Sequence, residues 1–327
     1  METIIAGGDT CLIMTGSQTI TRVLSVAGSD SGGGAGIQAD LKAFARCGVH
    51  GMTAVTVVTA QNTRAVELIH AVPPAAIVAQ IEAVIGDLGV DAVKVGMLGS
   101  REAVVAVAAA LGRLAAGVPI VVDPVLVAST GATLLDGDAL DAFCELLLPL
   151  AGVLTPNLPE ARALVGHAGR VRAGMVAPAA RAGPPADRAG ARAEEAADKG
   201  ADEDVVPELD DLGLAKALHR LGPRHVVLTG GHRTVASDLY WDGETAVEIP
   251  GERHPGGATH GSGCTHSAVL AAELGLGRTV LDAARVARRI SGEAVARGLA
   301  GLGGGEGPVD VLGLAGASIS GRRDRLP

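Results

Sequence analysis

Aromatic side chains are nearly missing from this chain: 327 residues carry two Phe, one Tyr and one Trp. Basic charge is short as well, 27 Lys and Arg against 36 Asp and Glu, a formal charge of −9. Base stacking needs aromatic platforms and phosphate capture needs a basic surface, so nucleic-acid binding is excluded. The four cysteines, Cys11, Cys47, Cys144 and Cys264, form no CxxC pair and no metal-finger spacing. Scattered thiols in a long chain point to a reducing, cytoplasmic setting. No Lys or Arg precedes Arg22, so the charged start of a signal peptide is lacking. The most apolar stretch, 103–122, is interrupted by Arg113 and Pro119, and no membrane span is expected. GxSxG elbows, HExxH, EF-hand loops and GxxxxGK[ST] phosphate loops are absent too.

What remains is aliphatic. At 48% hydrophobic the chain has ample core material, drawn from Ala, Val, Leu and Ile. Residues 1–20 show no periodicity and read as a loose leader. From Thr21 onward, short β-branched runs alternate with Ala-rich helical stretches. Strands are predicted at 22–27, 53–59, 92–95, 119–122, 153–155 and 225–228. Helices are predicted at 35–47, 73–88, 101–115, 138–148 and 209–221, then near 262–274 and 279–299. Ile37, Leu41 and Phe44 recur at i, i+4, i+7 and predict one buried helix face. Continuous apolar strands separated by helices imply a mostly parallel sheet covered on both faces, an α/β fold. Residues 237–249 read as a β-hairpin turning at Asp242-Gly243. Residues 166–206 are Ala, Gly, Pro and charge, too poor in apolar side chains to offset ordering entropy, and read as a low-complexity surface insertion. The expected layout is one domain over 21–312 with that insertion, followed by a tail at 313–327.

Chemistry concentrates at strand ends. AGSDSGGGAG, 27–36, follows a strand and opens a helix; it is either a tight turn or a place where a ligand or second backbone approaches closely. THGSGCTHSAVLAA, 259–272, puts glycines and Ser262 before an aliphatic helix, so free amides and the helix dipole make an anion hole. Cys264 lies on that first turn, where its thiol pKa should be lowered. His260, Cys264 and His266 make poor tetrahedral geometry for a metal. Asp123 in VVDPV and Glu160 in LTPNLPE sit at neighbouring strand ends. Alone, each reads as a cap or surface charge; facing an anion hole together, they suit Mg²⁺ held through water and phosphates. Gln61 closes an apolar strand, and its carboxamide offers two-point pairing to an aminopyrimidine edge.

These passages, in order, closely resemble the hydroxymethylpyrimidine/phosphomethylpyrimidine kinases of the ribokinase-like superfamily. The carriers are VAGSDSGGGAGIQADLKAF (26–44), TAQNT (59–63), VKVGML (93–98), VVDPV (121–125), LTPNLPE (154–160), GGH (230–232) and HGSGCT (260–265). The resemblance implies a three-layer α/β/α sandwich, and ATP- and Mg²⁺-dependent phosphorylation of 4-amino-5-hydroxymethyl-2-methylpyrimidine and then of its monophosphate, in thiamine biosynthesis. It implies a ring pocket of Gln61, Gly28, Asp40 and Met97, an anion hole of Gly261, Ser262, Gly263 and Cys264, and Mg²⁺ organised by Asp123 and Glu160. Thr229 and Gly231 fall at the ATP phosphates. A homodimer is expected. Two departures stand out: Thr229 and Ser129 replace lysines usual in the family. Arg233 or Arg64 are candidates for the missing charge. Pyridoxal kinase and a degenerate kinase serving as a ligand-binding module are the competing readings.

Overall fold

A computed structural model describes residues 20–126, 135, 137–172, 209–233 and 236–316. The leader (1–19), Ser129, most of the expected insertion and the end of the tail lie outside the described residues. Nine strands form one sheet: β1 (Arg22–Asp30), β2 (His50–Gln61), β3 (Val66–Ala71), β4 (Ala92–Val95), β5 (Ile120–Val122), β6 (Val153–Leu154), β7 (His225–Leu228), β8 (Asp238–Trp241) and β9 (Ala246–Ile249). Their spatial order is β3-β2-β1-β4-β5-β6-β7-β8-β9. All pairings from β2 to β7 are parallel. The edge strands β3, β8 and β9 are antiparallel.

Both faces of the sheet are covered, which is why its strands are continuously apolar. Successive β1 residues face opposite ways. Leu24 and Val26 pack with α2 (Pro74–Asp87), α3 (Arg101–Leu111), α4 (Gly137–Ala142), α5 (Leu158–Arg172) and α6 (Asp211–His219). Val23 joins α1 (Gly36–Arg46), α7 (Ser262–Gly275) and α8 (Val280–Ala296) on the other face. That second layer is built from small side chains. Ala268, Ala271 and Ala272 of α7 and Ala283, Ala284 and Ala287 of α8 are fully buried, so the helices approach closely without aromatic filler.

Several predicted features differ. Strand β1 runs on to Asp30, into the first glycine cluster, because its end still pairs with β2. Helix α4 passes directly into a π turn, Phe143–Leu147. Strand β3 was not anticipated, since it is exposed along its length and carries little apolar periodicity. Helix α5 continues through Arg172, so 166–172 belongs to a helix and not to the insertion. The buried face of α1 is Ala39, Asp40, Ala43 and Phe44; Ile37 is only half-buried and Leu41 is 36% exposed. The alanines let α1 lie close to α7, and that packing, not the largest side chains, sets the face.

The corrected face has a measurable consequence. Phe44→Ala empties a fully buried site and should cost about 3–5 kcal/mol in urea denaturation. Leu41→Ala should cost under about 1 kcal/mol. Equal losses would restore the i, i+4, i+7 face.

Candidate active site

The carboxyl ends of β1, β2 and β4 to β7 open into one cavity of about 650 Å³. Strand order reverses around β1, with β2 on one side and β4 on the other, the crevice where open α/β sheets bind ligands. Gly28 and Met97 meet there. A Cβ at Gly28 would lie 2.6 Å from the Met97 terminal methyl, so a larger residue there would push the thioether aside.

Asp30 organises the first glycine turn. Its Oδ1 accepts the Gly32 amide at 2.8 Å, and its Oδ2 accepts the Gly34 and Ala35 amides at 2.9 and 2.8 Å. His260 Nε2 reaches the same Oδ2 at 3.2 Å. Burial opposes ionisation of Asp30, but His260 and these amides hold its carboxyl below the usual aspartate value. The clasp is therefore charged at neutral pH, and its stabilising effect is lost only as pH falls through that depressed value. Three of the turn's amides are spent on this carboxylate. The close approach inferred from the glycine run is made by a second backbone: Gly34 packs against Gly261, and a Cβ at either position would strike the other turn.

Gly261 has φ +81° and caps α7. The Ser262 amide donates to Thr259 O at 2.9 Å, and Thr265 N closes the first helical bond to Gly261 O. First-turn amides have no intrahelical acceptor, and Gly263 and Cys264, which carry two of them, line the cavity. The expected thiol shift is overturned: burial pushes Cys264 up to about 12, Lys94 opposing and Asp123 and Asp40 reinforcing. Desolvation is the leading cause although Cys264 is only half-buried in the cavity wall, and it favours the thiol form at neutral pH.

Gln61 lies half-buried at the end of β2. A reciprocal bond pair with Ser31 fixes its main chain, at 2.8 Å from Gln61 N to Ser31 Oγ and 2.7 Å back to Gln61 O. Thr59 Oγ1, which donates to Ser29 O at 3.0 Å, lies 3.3 Å from the Gln61 carboxamide oxygen, and Gln61 lines the cavity. Asp123, after β5, accepts from Ser267 Oγ at 2.9 Å. Glu160 forms a capping box with Asn157 at the start of α5: Asn157 N donates to Oε2 at 2.8 Å and Glu160 N to Asn157 Oδ1 at 2.9 Å. Both the cap and the cavity-facing reading hold for this residue. Burial and then Asp123 push its carboxyl up to about 8. Among the described residues no group of three or more His, Cys, Asp or Glu gathers, so no protein-only metal cage forms.

Other expected residues are placed differently. Asp40 is fully buried and does not line the cavity; it sits behind Lys94, whose Nζ is 3.0 Å from both of its oxygens. Sequence reasoning missed Lys94, although a lysine in a wholly apolar central strand signals a buried partner. Thr229 lines the cavity, its amide donating to Pro156 O at 2.8 Å, whereas Gly231 is exposed and off the wall. Arg233 cannot supply charge to the site. Its guanidinium is committed to Asp211 at 2.6 Å, to Glu248 at 2.7 and 3.0 Å, and to Ser237. Arg64 is exposed beside Gly304 and also off the wall. Glu306, from the glycine-rich segment, borders the cavity and hydrogen-bonds to Thr259, a placement no local sequence signal announces.

A family model described as phosphomethylpyrimidine kinase matches residues 30–182 and 202–310. A hydroxymethylpyrimidine/phosphomethylpyrimidine kinase of Mycobacterium tuberculosis is 43% identical over 297 residues, covering 90% of this chain and 94% of that one. Its counterpart in Rhizobium meliloti is 42% identical over 289 residues, 88% and 95% of the two chains. Among solved structures, Staphylococcus aureus pyridoxal kinase in complex with ADP superposes with TM-score 0.72 at 28% identity, covering 92% and 96%. Clostridium difficile phosphomethylpyrimidine kinase superposes with TM-score 0.64 at 30% identity, covering 84% and 99%.

A raised thiol pKa sets alkylation kinetics, since the thiolate is the reactive form. Iodoacetamide labelling of Cys264, followed by mass spectrometry, should quicken about tenfold per pH unit between 7 and 10 without levelling. A plateau near pH 8 would show the activated thiolate that the helix terminus alone suggests.

Proposed function

The chain belongs to the phosphomethylpyrimidine kinase family, and on that premise we propose that it transfers the γ-phosphoryl of ATP to 4-amino-5-hydroxymethyl-2-methylpyrimidine and then to its monophosphate. The observation that carries this reading is the meeting, in one cavity, of a carboxamide ring reader and a helix-terminus anion hole. Gln61 pairs with the aminopyrimidine edge, and Met97 against Gly28 forms the floor under the ring. The main-chain amides of Gly263 and Cys264, in the Gly261–Cys264 turn, receive phosphoryl oxygens. In the first step the hydroxymethyl oxygen bonds to the γ-phosphorus, the bond to the ADP oxygen breaks, and the alcohol proton is released. A phosphoryl transfer with a loose transition state demands more of positioning and charge than of a base, which suits a neutral Cys264. In the second step the attacking monoester oxygen is already anionic.

Mg²⁺ fits the donor set at Asp123 and Glu160. Two carboxylates close enough for one to raise the other are relieved by a divalent cation, and the carboxylates, water and substrate phosphates together suit its hard-oxygen preference. Bound there, Mg²⁺ supplies charge compensation to the phosphates. A need for ATP supports a cytoplasmic setting. No described helix is long and apolar enough to cross a membrane. The free edge of β3 exposes Leu68 (57%) and Ile69 (51%) beside Val58, and we assign it to a second copy of the chain in a homodimer.

Pyridoxal kinase is the second reading, because pyridoxal kinases superpose at 27–33% identity. A coupled assay separates the possibilities. ATP consumption should depend on the pyrimidine alcohol and its monophosphate and exceed that with pyridoxal. The reverse preference makes the chain a pyridoxal kinase, and no consumption with any of them makes it a binding module.

Gln61→Ala should weaken pyrimidine binding by about 1–3 kcal/mol, roughly 5- to 150-fold in calorimetry, with ATP affinity little changed. Unaltered pyrimidine affinity would move the ring pocket elsewhere.

Thr229 borders the cavity without charge. Thr229→Lys should raise kcat by adding a cation where the transferring phosphoryl gains charge. An unchanged or lower rate in a folded variant would show that another group already serves there.

A further inference from the structure

Lys94 is the one lysine or arginine among the described residues lining the cavity, and no step above uses it. It stands on β4 with no exposed surface. An ammonium removed from water is costly unless it is paired and hydrogen-bonded. Asp40, on α1, supplies that pairing through both oxygens at 3.0 Å, and Ser25 Oγ donates to Asp40 Oδ2 at 2.5 Å from β1. Asp123 Oδ2 is the next neighbour, 3.9 Å from Nζ. Gly96 makes room for the ammonium, since a Cβ there would lie 2.8 Å from Nζ. Burial opposes the Lys94 charge, but the carboxylates of Asp40 and Asp123 raise its pKa above the ordinary lysine value.

The pair has a direction. Lys94 borders the cavity and Asp40 does not; the carboxylate lies behind, bonded to Ser25. The two charges cancel as a unit but leave a dipole whose positive end lies on the cavity side, toward the Asp123 carboxylate.

We propose that the buried Asp40–Lys94 pair is a positioning element for phosphoryl transfer, a fixed dipole in which Lys94 steadies Asp123 and turns positive potential toward the anion that develops on the transferring phosphoryl. This inference rests on the kinase reading. It assigns Asp40 to the electrostatics of transfer and not to the ring pocket. A preformed dipole in a dry site costs no reorganisation as charge develops, which is where such groups act most strongly.

Two variants remove the dipole, the first of them keeping net charge and approximate shape. Lys94→Met with Asp40→Asn replaces both ions by neutral groups of similar size. Lys94→Gln keeps an N–H donor toward Asp40 and loses only the cation. Circular dichroism checks the fold, calorimetry gives the pyrimidine Kd, and the coupled assay gives kcat at saturating Mg²⁺ and ATP. The proposal expects folded variants with pyrimidine Kd within about threefold of the parent and kcat lower by about 100-fold, the scale of losing one preorganised stabilising group. A folded variant with kcat within threefold of an active parent overturns it, as do equal changes in Kd and kcat. If neither variant folds, the pair is structural and the proposal also fails. An inactive parent would instead refute the kinase reading itself.

Discussion

The Asp30 carboxylate is the constraint on which the site depends. It ends β1, gathers three amides of the first glycine turn, and takes His260 from the second glycine turn, 230 residues away. With that bond the two turns pack glycine against glycine, and the amides opening α7 come to face the crevice beside Gln61 and Met97. A ring reader and a phosphoryl receiver are useful together only when their separation is fixed, because small displacements of reacting groups are costly in rate.

Charge in the cavity is arranged unusually. The guanidinium nearest in sequence to the GGH turn, Arg233, is consumed by Asp211 and Glu248, and Thr229 brings no charge. Positive potential comes instead from backbone amides and from an ammonium already matched by Asp40. Desolvation also favours the thiol form of Cys264, which is half-buried where Lys94 is fully buried, so it suits a role in shape and weak donation rather than as a base. On the proposed reading, the site would work through preorganised dipoles more than through free ions.

Much of this was legible in the sequence. Apolar runs located the central strands, and the strand ends named Gln61, Asp123, Glu160 and the anion hole, all of which border one cavity. Local pattern failed where tertiary packing decides. The face of α1 follows its alanine contact with α7, so Ile37 and Leu41 misled. The thiol of Cys264 responds to burial among carboxylates that no local window contains. Asp40 and Lys94 are 54 residues apart and define each other only once α1 lies across β4. Glu306 reaches the cavity through a glycine-rich segment that looks featureless on its own.

The central claim is that one carboxylate holds two halves of a single transfer site in register. The most direct measurement is kcat/KM for the pyrimidine alcohol in Asp30→Asn. An amide at this position keeps the shape but turns an NH₂ toward amides that need an acceptor. The account predicts a folded variant with kcat/KM lower by about 100-fold, as expected when reacting groups shift by about 1 Å. A folded variant within threefold of the parent would contradict it.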